Sequence, residues 1–174
     1  MRTAYRVLAL SLLTGPAVGV VWWLVTPLPR AVKRADGVYF AHAGEAAIAA
    51  DGWFAVCTLV AGALAGLLVG LLLRRDRMHA LAALAVGGLV GAVIAWQVGA
   101  LLGPDPFLDQ AEALRAGTEF DGPLRLSALG VLMVWPISAV ILFFGVVAGI
   151  DSLDDEQPVR EVSPFDAPER SAPV

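Results

Sequence analysis

His42, Glu45 and Asp51 lie within ten residues of one another, and Asp105, Asp109 and Glu112 form a second acidic group further along the chain. On a helix, His42 and Glu45 would face the same side, as would the second group with its spacings of four and three. Brought together, His42, Glu45, Asp51, Asp105 and Asp109 would make an acidic, histidine-containing site. Such a site suits a divalent cation or acid–base work on a lipid or envelope substrate. No serine or cysteine nucleophile and no second histidine accompanies them, so the expectation is that the chain is not an enzyme. The competing reading is simpler. Loops in water carry charge, and Asp51 and Asp121 precede glycine where a helix N-cap would sit.

These residues flank four apolar runs that contain no Asp, Glu, Lys, Arg or His: 7–25, 53–73, 80–102 and 126–150. At ~1.5 Å of rise per residue the runs reach roughly 28 to 38 Å, enough to cross a hydrocarbon core of ~30 Å. Only 16% of the 174 residues are charged, against about 25% in a soluble domain. The expected fold is therefore an all-α membrane protein. Residues 1–150 form a four-helix transmembrane bundle with two extracytoplasmic loops, and residues 151–174 a disordered, acidic cytoplasmic tail. Asp151, Asp154, Asp155 and Glu156 open that tail, and Pro158, Pro164, Pro168 and Pro173 interrupt it, leaving no apolar face to bury.

The first run follows Arg2 and Arg6 but is longer than the apolar core of a signal peptide, and it leads into Pro27 and Pro29 without a small-x-small cleavage site. It is read as an uncleaved span. Cys57 is the only cysteine, which excludes an internal disulfide or a multi-cysteine metal site. The net charge of −4 argues against nucleic acid as a partner, and no Gly-Lys-Ser/Thr phosphate loop is present. No cofactor is expected.

Small residues recur every four positions: Gly62, Gly66 and Gly70 in the second span, and Gly87, Gly91, Ala95, Gly99 and Gly103 along the third. Each row lies on one helix face and lets another backbone approach closely. The short connection between these two spans makes packing within the chain the default, with self-association as the alternative. Pro16 and Pro136 interrupt the first and fourth spans and predict kinks. Trp22, Trp23, Trp53 and Trp96 fit an interfacial aromatic belt. Gln97 is the one amide at depth, either lining a polar path or bonding a neighbouring helix. The halves echo each other, with Pro27-Leu28-Pro29 and Asp51-Gly52 against Pro104-Asp105-Pro106 and Asp121-Gly122. Internal duplication and ordinary helix stop and start signals both account for this.

The series Gly15-Pro16, Trp22-Trp23, Pro27 and Ala50-Asp51-Gly52-Trp53-Phe54, leading into a glycine-rich span, resembles uncharacterised four-span integral membrane proteins of actinobacteria. Arginine-rich usage, with Lys33 the only lysine, is similar to that of a high-GC genome. The resemblance implies a bacterial plasma-membrane location and no transferable activity. The expected role is a non-catalytic scaffold or accessory subunit acting through helix–helix contacts. Its partners would be the lipid bilayer and other membrane proteins or a second copy of itself. A small-molecule transporter or channel component is the alternative, and a lipid- or envelope-modifying enzyme the third reading.

The dense Arg74-Arg75-Asp76-Arg77 connection resists translocation, so both termini are expected in the cytoplasm. In a Cys57→Ser background, cysteines replacing Gly37 and Gly117 should react with an impermeant thiol reagent on intact cells, and one replacing Ser171 should not. The reverse pattern would invert the topology.

Overall fold

The structure is a computed structural model that describes residues 2–34, 36–40, 43–72, 77–104 and 113–155. Four helices dominate it: α1 (Arg2–Val25), α2 (Ala43–Leu72), α3 (Arg77–Leu102) and α4 (Val134–Asp155), the last preceded by a 3-10 turn over Leu129–Met133. All four are long and apolar enough to cross a membrane, over Val7–Val25, Gly44–Leu72, Arg77–Leu102 and Leu129–Ile150. Successive helices run in opposite directions, so α1 starts and α4 ends at the same end of the bundle.

Several bounds differ from the sequence expectation. Helix α2 begins at Ala43, ten residues before the apolar run, because Ala43–Ala50 is alanine-rich and a strong helix former. Asp51 therefore sits inside α2 and is not its N-cap. Helix α4 continues to Asp155, so the first residues assigned to the disordered tail are helical, and Ser152 Oγ donates to the Gly149 carbonyl there. The rest of the tail, like Arg74–Asp76, His42 and residues 105–112, lies outside the described residues.

The segments between spans also carry structure that hydropathy does not reveal. Strand β1 (Arg30–Arg34) pairs antiparallel with β2 (Gly37–Phe40) and β3 (Glu119–Asp121), giving a three-stranded sheet in the order β2-β1-β3. Asp36 lies in the tight connection between the strands, and Gly37, which pairs with Arg34 as β2 begins, takes φ +155°, a value that favours glycine. The sheet joins the two interhelical segments at one end of the bundle. The Gly122 N–H donates to the Pro29 carbonyl (2.6 Å), and Arg30 lies 3.7 Å from Glu119 across β1–β3.

Helix partners are not sequence neighbours. Helix α1 packs along α3 and α2 along α4; α3 also touches α4, while the α1–α2 and α2–α3 contacts are slight. Both main seams are parallel and rest on glycine. A Cβ at Gly15 would lie 3.0 Å from the Gly91 carbonyl oxygen, and one at Gly19 would overlap the Ala95 carbonyl. A Cβ at Gly87 would meet Ser11, and one at Gly99 the Trp22 ring. Along the second seam, Cβ atoms at Gly62 and Gly66 would strike the carbonyls of Trp135 and Ala139, and one at Gly70 would press on Val146. Both rows pack within the chain, though on α1 and α4 and not on each other. A short connection fixes antiparallel proximity at one end only, whereas each row finds the partner whose carbonyl ridge fits it.

Pro136 falls in the first turn of α4 rather than mid-helix. Its missing N–H cannot continue an α-helical ladder backwards, and the residues before it close into the 3-10 turn. Gly88 of α3 gives room for this corner, since a Cβ there would lie 3.0 Å from Pro136 Cα.

Gly66→Ala and Gly66→Leu should both destabilise the bundle, the leucine by about 1–3 kcal/mol or more as overpacking does. Gly145→Ala should be neutral or slightly stabilising, because nothing lies within 4 Å of its Cβ position. Thermal unfolding in detergent orders the three variants, and equal stability of parent and Gly66→Leu would remove the seam from the account.

Candidate functional site

Trp22 and Trp135 anchor the end of the bundle that carries the sheet. Trp22 is fully buried and forms a cluster with Phe54, Ala92, Ala95 and Trp135. Its Nε1–H donates to the Ala50 carbonyl (3.0 Å), whose second lone pair remains after its helical bond. Its ring meets Phe54 edge-on, with centroids 5.0 Å apart. Trp22 therefore leaves the expected interfacial belt, because Gly99 opens a place for the ring and Ala50 satisfies the indole. Trp53 is 44% exposed, open to whatever surrounds the bundle.

Asp51 also finds a long-range partner. Its two carboxylate oxygens accept the N–H groups of Ser127 (2.8 Å) and Ala128 (3.0 Å). Ala128 is the N-cap of the 3-10 turn and makes no side-chain cap bond of its own. Asp51 on α2 thus holds the entry to α4, a cap supplied from another helix. Glu45 is exposed in the first turn of α2, away from the carboxylate's work. His42, Asp105 and Asp109 lie outside the described residues. Among the described residues, no group of three or more His, Cys, Asp or Glu side chains could hold a metal ion.

Deeper in the bundle the polar side chains bond to their own helices. Ser11, Thr14, Thr58 and Ser138 donate to the carbonyls of Val7, Leu10, Phe54 and Trp135 respectively. No buried side-chain nitrogen or oxygen among the described residues lacks a partner. Gln97 lies on the exposed face of α3, turned away from the interior. Large rings and leucines fill the centre: Trp22, Trp135, Phe54, Phe143 and Leu84 are all nearly or wholly inaccessible.

One cavity stands out. Because α1 packs on α3 and α2 on α4, these pairs separate along the α1–α2 side and leave a cleft of about 580 Å³. Val7 and Val69, both buried, mark one end; Val25 and Trp53, both exposed, mark the other. Ala61, Ala65 and Trp135 contribute to its lining between these ends, and Ser11, Thr14 and Cys57 are its few polar residues. The hydroxyls of Ser11 and Thr14 are already committed to backbone carbonyls, so the cleft presents a nearly continuous hydrocarbon lining. Hydropathy could not reveal it, since every residue there reads as an ordinary span residue. No protein-family model matches the chain, and no curated protein or solved structure matches it.

Asp51→Ala should lower thermal stability by about 1 kcal/mol, as loss of a helix cap does, and Asp51→Asn by less, since one acceptor survives. Glu45→Ala should change nothing measurable. If Asp51→Ala matches the parent in a detergent melt, the cross-helix cap contributes no stability.

Proposed function

We propose that this chain is a non-catalytic accessory or scaffold protein of a bacterial plasma membrane, with both termini in the cytoplasm, acting through its membrane-facing surface. The observation that carries this reading is the packed interior. Trp22, Phe54 and Trp135 fill the interior at the sheet end and Phe143 fills it further along α4, and the buried polar side chains are bonded to their own helices. A transporter for polar solutes needs a wet or ionisable path at depth. Gln97, the residue that motivated transport, lies on the exposed face. An enzyme with a site at this end of the bundle needs free acids, and Asp51 is bonded to two backbone N–H groups. The exposed flanks carry leucine, valine and phenylalanine, such as Leu13, Leu64, Leu101 and Phe144, suited to lipid and to neighbouring membrane helices. The likeness to actinobacterial four-span proteins belongs to this proposal and adds the bacterial setting.

The test joins complementation to partner capture. A variant with His42, Glu45, Asp105 and Asp109 all replaced by Gln or Asn should accumulate normally, complement a deletion strain and co-isolate the same membrane proteins as the parent. Normal accumulation with failed complementation would overturn the accessory reading and point to chemistry in the interhelical segments.

A further inference from the structure

The geometry points to the α1–α2 cleft as a binding site for one acyl chain of a bilayer phospholipid. This goes beyond the accessory role and stands whether or not that role holds. Its mouth opens sideways between two helices whose outer faces carry exposed Leu12, Leu13, Leu64 and Leu68, so the hydrocarbon of the bilayer has direct access. The lining runs from Val7 to Val25 on α1, a rise of ~27 Å, which is a chain-shaped span rather than a compact pocket. At ~30 Å³ for a group the size of a water molecule or a methylene, 580 Å³ holds about 19 of them, one acyl chain. A transmembrane helix, ~10 Å across with its side chains, is far larger than this space. A polar ligand is disfavoured as well, because the hydroxyls of Ser11 and Thr14 are turned to their own backbone.

The ends of the cleft give the chain a direction. Buried Val7 and Val69 close in on one end, where a methyl terminus fits. The other end lies at exposed Val25 and Trp53, at the same end of the bundle as β1 with Arg30, Lys33 and Arg34. Arg30 and its partner Glu119 are both mostly exposed and only 3.7 Å apart at closest approach, so that pair is open to a competing anion. A lipid phosphate at the level of the sheet competes with Glu119 for the exposed Arg30 guanidinium, which distinguishes a phospholipid from a neutral hydrocarbon. Trp53 at the mouth suits the headgroup boundary.

Native mass spectrometry of the full chain, purified in mild detergent and supplied with phosphatidylglycerol, reads the site directly. The parent should retain one phospholipid per chain. Ala61→Phe, which fills the cleft from α2, and Thr14→Leu, which fills it from α1, should each lower the bound fraction by about tenfold. Leu101→Phe, on the exposed face of α3, should keep it, and unchanged thermal unfolding of Thr14→Leu shows that the fold survives the filling. Absence of retained lipid in the parent, or equal retention in the parent and in both filled variants, overturns the proposal. A lipid-free dimer that Ala61→Phe converts to monomer also overturns it and assigns the cleft to a second copy.

Discussion

Close approach of helix backbones at two glycine-based seams is the constraint on which the rest of the structure depends. Inside a bilayer, lipid tails are as apolar as leucine, so burying an apolar side chain against another helix gains little from leaving water. Contact at short range must supply the attraction instead. Gly15 and Gly19 bring α1 onto the Gly91–Ala95 stretch of α3, and Gly62 and Gly66 bring α2 onto Trp135 and Ala139 of α4. Side chains at those four glycines would hold the backbones apart. The two seams run in parallel register, so each four-residue step on one helix meets a four-residue step on the other.

The two helix pairs are then locked to each other where the sheet lies. Trp22 reaches from α1 to the Ala50 carbonyl of α2, and Asp51, the next residue, reaches from α2 to the backbone that enters α4. Pro29 and Gly122 tie the two interhelical segments, and the sheet continues that tie. The Trp22 bond is buried, where an unpaired donor is costly, while the two Asp51 bonds are exposed and fix the backbone that enters the 3-10 turn. The two pairs are therefore joined firmly at one end and touch along α3–α4, while the α1–α2 side stays open. The cleft is a consequence of partner choice: once each helix has spent its small-residue row on a parallel partner, α1 and α2 face one another mainly through larger side chains.

That division also bears on function. A filled centre and a hydrocarbon-lined flank direct attention from the interior to the apolar perimeter. Asp51 illustrates the shift. Its carboxylate, a candidate for chemistry by residue type, is used to start a helix.

The sequence by itself determined the four spans, their alternating direction and the small-residue rows, because each depends on local composition and on a spacing that a helix converts into a face. It did not announce the sheet, because its strands are short and half-exposed and carry too little alternation. Tertiary structure alone decided which row meets which ridge, that Trp22 turns inward while Gln97 turns outward, that Asp51 caps a helix 76 residues away, and that one side of the bundle opens. The physical reason is common to all of these. A helix in lipid is apolar on every face, so hydropathy carries no stripe to tell inside from outside. The choice is made by backbone shape and by single hydrogen bonds between residues far apart in the chain.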